Sequence, residues 1–215
     1  MIKSKYLIYS TGNPVYSSHI DAVHAASPSS DQFTGEIVLS VIKLIDASGI
    51  IATVSREEMD INRPRSQENA PAIDEFRAAI RAILDSKEIV DEQGQLNRHY
   101  LHLAIHGMTD DHKTDFIVGT RFGDSCSPDV QTWFLNELVK LSKALKVNRI
   151  FPGDFSKSYH RNGDPDSGYA GYGERFHTIQ IEISRKWRKN GQKQLANFFK
   201  TIITQFDKQF NPKFL

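Results

Sequence analysis

A chain of 215 residues can bury one substantial core and is short for two, so a single domain spanning 1–215 is expected. Hydrophobic residues make up 39% and charged residues 25%, as in an ordinary globular protein, and no window approaches the ~20 apolar residues of a membrane span. Lys and Arg number 27 against 26 Asp and Glu, which removes any global electrostatic reason to expect nucleic acid or an anionic membrane as partner.

Cys126 is the sole cysteine, so no intramolecular disulfide can form. The apolar part of Met1–Ser10 is too short for a signal-peptide core. Both features lead us to expect a soluble, cytoplasmic protein.

In chain order, Tyr6–Ser10 alternates weakly and predicts a short strand. Ile20–His24 is an apolar run that ends in the small, polar loop Ala25–Ser30. Thr34 reads as an N-cap. Ile37, Val38, Val41, Ile42, Leu44 and Ile45 then recur at helical spacing up to Ser48-Gly49, a natural stop. Ile50–Val54 is β-branched and short, as in a buried strand.

Pro71 opens a second helix with Ile73, Phe76, Ile80, Ile83 and Leu84 on one stripe. After a polar loop at Asp91–Gln95, strands are predicted at Tyr100–Ile105 and Phe116–Val118, then a helix at Pro128–Leu145 and a brief strand at Arg149–Phe151. Gly153–Gly173 lacks periodicity, and so long a loop inside a domain is commonly functional or disordered. Phe176–Ile183 alternates strongly as a strand, and Gln194–Phe210 is a terminal helix. Alternating strands and helices predict a three-layer αβα domain around a central mixed sheet.

Open α/β sheets build their sites at the carboxyl ends of strands. His24 and His106 both stand at predicted strand ends, and Asp31 lies in the loop after His24, from which a carboxylate can curl back. Two imidazoles and a carboxylate with one open position suit a catalytic zinc. Glu36 competes with Asp31 but falls in the first helical turn, where a carboxylate favourably meets the helix N-terminus. His102 shares a strand face with His106, but about 13 Å along an extended chain separates them, so both cannot bind one ion. Gly107 lets the backbone turn sharply after His106.

Arg56, Asn62 and Arg63 concentrate carboxylate-binding groups in one short stretch, with Asp60 placed to orient an arginine and Pro64 to stiffen the exit. The same mixture of charges also occurs on ordinary surfaces. Glu182 interrupts Ile179, Ile181 and Ile183, so it faces the opposite side of its strand with Thr178 and Gln180. A carboxylate in so apolar a strand needs a partner or a raised pKa, and either suits a general base beside an activated water. A structural ion pair is the alternative.

These residues carry a resemblance to the N-formylglutamate amidohydrolase family, related in fold and site design to zinc carboxypeptidases and poly-γ-glutamate hydrolases. Ser55-Arg56, three residues, Asp60, one residue, Asn62-Arg63-Pro64 is similar to that family's most specific motif. Ile105-His106-Gly107-Met108 resembles its strand-end histidine. Asp115–Thr120 with Gly123 and Ser125-Cys126 resembles the segment that follows, and His177-Thr178-Ile179-Gln180-Ile181-Glu182 its late strand. The family often has a small pair and then an acid after its first histidine, whereas this chain has Ala25-Ala26-Ser27-Pro28-Ser29-Ser30 before Asp31.

The resemblance implies a zinc carboxypeptidase-like fold of the phosphorylase/hydrolase-like class. It implies one Zn2+ per chain held by His24, Asp31 and His106, with Glu182 activating water. Asn62 and Arg63 would hold a substrate carboxylate, and Arg56 would help stabilise the developing oxyanion. The expected activity is hydrolysis of an amide C–N bond in a small acidic N-acyl amino acid, such as an N-formyl glutamate. Alternatives are a γ-glutamyl or carboxypeptidase-type peptidase and a non-catalytic anion-binding protein of the same fold. Other divalent ions also suit such ligands. A nucleic-acid module built on Arg185-Lys186-Trp187-Arg188-Lys189 is set against a solvated loop, since phosphate binding normally needs a wider patch.

Overall fold

The computed structural model describes residues 1–110, 114–145, 150–152 and 174–214. Its elements in chain order are β1 (Ile2–Lys3), β2 (Leu7–Ser10), β3 (Ser18–Ala22), α1 (Thr34–Ile45), β4 (Ser48–Ala52), α2 (Ala70–Ser86), β5 (Tyr100–Met108), β6 (Phe116–Gly119), α3 (Pro128–Leu145), β7 (Ile150–Pro152), β8 (Phe176–Ser184), α4 (Arg185–Asn190) and α5 (Gln192–Phe210). The strands form one sheet in the order β1-β2-β4-β3-β5-β8-β6-β7. The central run β4-β3-β5-β8 is parallel, whereas β2 joins β4 and β6 joins β8 antiparallel. The three-layer mixed α/β architecture expected from the order of elements is therefore the observed one.

Side chains alternate across each strand, and the two faces differ in chemistry. Ile20 and Ala22 of β3, Leu101, Leu103 and Ile105 of β5, and Ile179, Ile181 and Ile183 of β8 point into the larger core beneath α1, α3 and α5. Each of these leucines and isoleucines contributes ~1.5–3 kcal/mol on burial, so this face specifies the register of the central strands. The opposite face carries His19, Asp21, His102, His106, Thr178, Gln180 and Glu182. Val23, Tyr100 and Phe176 on that side join a second core with Ile73's neighbours Ala72 and Phe76 and with Ile80 and Leu84 of α2. Register aligns His19 with His102, and His106 with Glu182.

Several local expectations are corrected. Thr34 is not the N-cap of α1: Phe33 holds that position in a left-handed conformation (φ 73°), and no side chain among the described residues caps the helix. The Thr34 hydroxyl instead donates backwards to the Asp31 carbonyl at 2.8 Å. α1 stops at Ile45, and Ser48-Gly49 opens β4 rather than ending the helix. Asp46 makes the reversal in the left-handed region (φ 53°), and Gly12 (φ 61°) fits against it because a Cβ there would lie 2.4 Å from Ala47 and Ser48 backbone atoms. Strand β5 continues two residues beyond His106, so Gly107 is not a turn. The basic run 185–190 is helix α4, capped by the Ser184 hydroxyl and burying Arg188, rather than a solvated loop. Gly153–Gly173 lies outside the described residues.

Candidate metal centre

His24 leaves the end of β3, His106 lies near the end of β5, and Asp31 sits in the loop between β3 and α1. One ligand atom from each lies within 4.8 Å of the others, and all three residues are buried. The loop is pinned from both ends: the Asp31 amide donates to the His24 carbonyl at 2.8 Å, and the Thr34 amide and hydroxyl donate to the Asp31 carbonyl at 3.1 and 2.8 Å. The expected curl of Asp31 back to His24 is thus a hydrogen-bonded turn. Glu36, its competitor, is exposed in the first turn of α1.

Asp31 Oδ2 stands 3.5 Å from His24 Nδ1 and 3.3 Å from His106 Nδ1. The two imidazoles meet edge to face, with centroids 4.9 Å apart and planes at 76°. His24 Nδ1 and His106 Nε2 are buried without a hydrogen-bond partner among the described residues. Each ring thus keeps one buried nitrogen without a partner, and Asp31 lies beside a nitrogen of each ring; this donor set suits a divalent ion, zinc among others. Burial disfavours a charged His24, yet the carboxylates of Asp31 and Asp60 beside its ring outweigh this and raise its pKa. Burial would likewise raise the Asp31 pKa, but the adjacent His106 and His24 rings and the charge of Arg56 hold it well below the usual carboxylate range.

The His24 ring is oriented from behind by Asp60, whose Oδ1 lies 2.9 Å from Nε2. A carboxylate on the far nitrogen fixes the tautomer that leaves the near nitrogen able to ligate. By its spacing in the motif, Asp60 is expected to orient an arginine. It does approach Arg63 Nε at 3.6 Å, but its shorter contact is to the histidine. The same Oδ1 accepts the Asn62 amide at 2.9 Å, closing an Asx-type turn. An aspartate two residues before a buried asparagine was the available clue; its target on β3 is a matter of tertiary placement.

Arg56 donates through Nε to the Ser29 carbonyl at 2.7 Å and through Nη2 to Asp31 Oδ1. Its anionic partner here is therefore the candidate ligand Asp31 itself. Asn62 is buried, and its carboxamide makes no hydrogen bond among the described residues. The neighbouring Arg63 side chain is 44% exposed. Glu182 is half-buried beside His106 in register, and Gln180 Nε2 donates to its Oε1 at 2.9 Å. The partner demanded of a carboxylate in this strand is thus an amide rather than an arginine.

A second histidine–aspartate group lies deeper on the same sheet face. His19, Asp21 and His102 also bring ligand atoms within 4.8 Å of one another. His19 Nε2 and Asp21 Oδ1 also lack a hydrogen-bond partner among the described residues, but the arrangement is less suited to a shared ion. The His19 and His102 rings stack with centroids 4.2 Å apart and planes at 13°, so their in-plane lone pairs run side by side instead of converging. Both His102 nitrogens are committed, Nε2 to Asp21 Oδ2 at 2.7 Å and Nδ1 to Thr178 Oγ1 at 3.3 Å. His19 Nδ1 meets the Tyr100 hydroxyl at 2.8 Å. This group is a buried polar brace beneath the site.

Among the described residues, no helix is long and apolar enough to cross a membrane. No protein-family model matches the sequence, and no curated protein matches it. Solved structures do. An N-formylglutamate amidohydrolase from Ralstonia eutropha JMP134 superposes with a TM-score of 0.64 at 13% identity, over 93% of this chain and 98% of that one. A gene product from Agrobacterium tumefaciens gives 0.61 at 12% identity over 94% and 93%. A bacteriophage poly-γ-glutamate hydrolase gives 0.57 at 15% identity over 94% and 89%. The chain has the fold of these N-formylglutamate amidohydrolase and poly-γ-glutamate hydrolase structures.

Proposed function

We propose that the protein is a metal-dependent hydrolase of amide C–N bonds in small, carboxylate-bearing substrates, N-acyl amino acids such as N-formyl glutamate foremost. The observation that carries this reading is the convergence of His24, Asp31 and His106, with orphaned ring nitrogens, next to Glu182 at the carboxyl ends of parallel strands. His24, Asp31 and His106 would hold one Zn2+. The bound ion would polarise the scissile carbonyl and lower the pKa of water towards ~7.

Glu182, steadied by Gln180, accepts a proton from the attacking water and returns it to the leaving amine. Asn62 presents an uncommitted carboxamide, and Arg63 a charge at the mouth, for the substrate carboxylate, holding the amide in attack geometry. Arg56 keeps Asp31 ionised and in place and sets its positive charge where oxyanion charge develops. The single buried cysteine fits a cytoplasmic setting, and the acidic small molecule is the partner the clamp suits.

The test is a screen of N-acyl amino acids, γ-glutamyl peptides and neutral amides against zinc-loaded protein, with metal content measured alongside. Stoichiometric zinc and turnover confined to acidic substrates are expected. Glu182→Gln should lower kcat by about 10²–10⁴-fold while substrate binding persists. Preference for γ-glutamyl peptides would favour the peptidase alternative. Tight binding of acidic ligands without zinc or turnover would replace the hydrolase with a binding protein.

A further inference from the structure

Arg188 is the least expected residue of the molecule. It belongs to a basic run, yet it is only 4% exposed. Its guanidinium has no carboxylate within ion-pairing distance among the described residues and is spent on three main-chain carbonyls: Nε donates to Ile183 at 2.9 Å, Nη2 to Met108 at 3.0 Å, and Nη1 to Gln32. Ile183 follows Glu182, Gln32 follows Asp31, and Met108 stands two residues beyond His106. One planar group therefore joins the three backbone segments that carry the candidate base and two of the candidate ligands.

Gly107 explains how the guanidinium reaches this position. A Cβ at Gly107 would lie 2.3 Å from Arg188 Cζ and 2.6 Å from both terminal nitrogens. The glycine next to His106 is required by this close approach, not by a turn. Burial lowers the Arg188 pKa, and the charges of Asp31, Glu182 and Asp110 offset that effect. Arg is suited to the task because its rigid fork offers several donors in one plane, whereas an ammonium is a single compact point.

We propose that Arg188 is the positioning residue of the site, tying the Asp31 loop to the ends of β5 and β8 so that His106, Asp31 and Glu182 keep their mutual geometry. The role rests on the site proposed above but is separable from it by experiment. The variants are Arg188→Lys, which keeps the charge and loses the fork, Arg188→Met, which loses both, and Gly107→Ala, which displaces the guanidinium without changing it. The control is Leu84→Ala, a buried core truncation near the end of α2 remote from the site.

Two readouts are taken. The first is amide hydrogen exchange of the metal-free protein across residues 31–34, 106–108 and 182–184. The second is zinc affinity by titration. All Arg188 and Gly107 variants should raise exchange in the three segments together and weaken zinc by about 10–100-fold, the usual cost of losing groups that orient ligands. Leu84→Ala should lower Tm yet leave the relative protection of these segments and zinc affinity near wild type. Should Arg188→Met not fold, Arg188→Lys and Gly107→Ala still decide the matter. Unchanged exchange in these variants, or the same changes in Leu84→Ala, would overturn the proposal. If concerted exchange appears but even the wild type binds no zinc, the metal reading fails and the positioning role stands.

Discussion

His24 has both nitrogens near carboxylates, one shared with His106 and one from the turn that precedes Asn62-Arg63. On the proposed function, ligand orientation and substrate grip both pass through Asp60. Asp60→Asn keeps the shape and removes the negative charge, so zinc affinity should fall about 10–100-fold by titration. Substrate binding should weaken as well, since Asp60 also approaches Arg63. Arg63→Met should act differently. Losing a charge-assisted bond to the substrate carboxylate costs roughly 1.5–3 kcal/mol, which is about 10–150-fold in KM at 25 °C with kcat little changed. Equal turnover of acidic and neutral substrates by the wild type would contradict that assignment.

At the scale of elements, the end of α2 opposite the site contains a buried cation. Lys87 is 3% exposed, and its Nζ donates to the Asn13 carbonyl at 2.8 Å. Burial brings its pKa down from 10.5 to about 8, with Arg98 adding repulsion and Asp207 and Asp46 opposing. The folded chain releases this proton near pH 8 and the unfolded chain only near 10.5, so in that window the unfolded state binds more protons and stability rises with pH. In denaturant titrations the wild type should gain about 3 kcal/mol between pH 8 and 10.5 relative to Lys87→Met. No relative gain would show that Lys87 is hydrated or charge-compensated in solution.

For the molecule as a whole, burial of His177 and His19 as neutral rings works against stability in acid. Burial, aided by the nearby His99, draws the His177 pKa down to about 3, and burial with repulsion from His102 and Lys87 takes His19 well below 6.5. Above pH 6.5 neither state is protonated at these positions. Below it the unfolded chain takes up protons that the folded chain refuses, so stability falls as pH drops from 6.5 towards 3. Metal-free protein should show this decline in its urea midpoint, and His177→Phe should flatten it. An identical slope in the variant would remove His177 from the account. Cys126 is fully buried with its thiol pKa pushed up, so it should resist thiol reagents until the protein unfolds.

Periodicity, with Pro71 as a start signal, located the helix that proves to be Ala70–Ser86, the helix at Pro128–Leu145 and the central strands, because burial imposes spacings of 3.6 and 2 on any chain that folds this way. It also showed Glu182 facing away from the isoleucines, and placed His24 and His106 at strand ends. What it could not determine was partnership. By sequence alone Arg188 belongs to a solvated loop, Gly107 to a turn, Asp60 beside an arginine and Thr34 at a cap. Each acquired its role from a group distant in sequence or from a backbone bend. Side-chain type and spacing specify which face is buried; which polar atoms then meet depends on parallel strands brought side by side, and only the tertiary structure decides that.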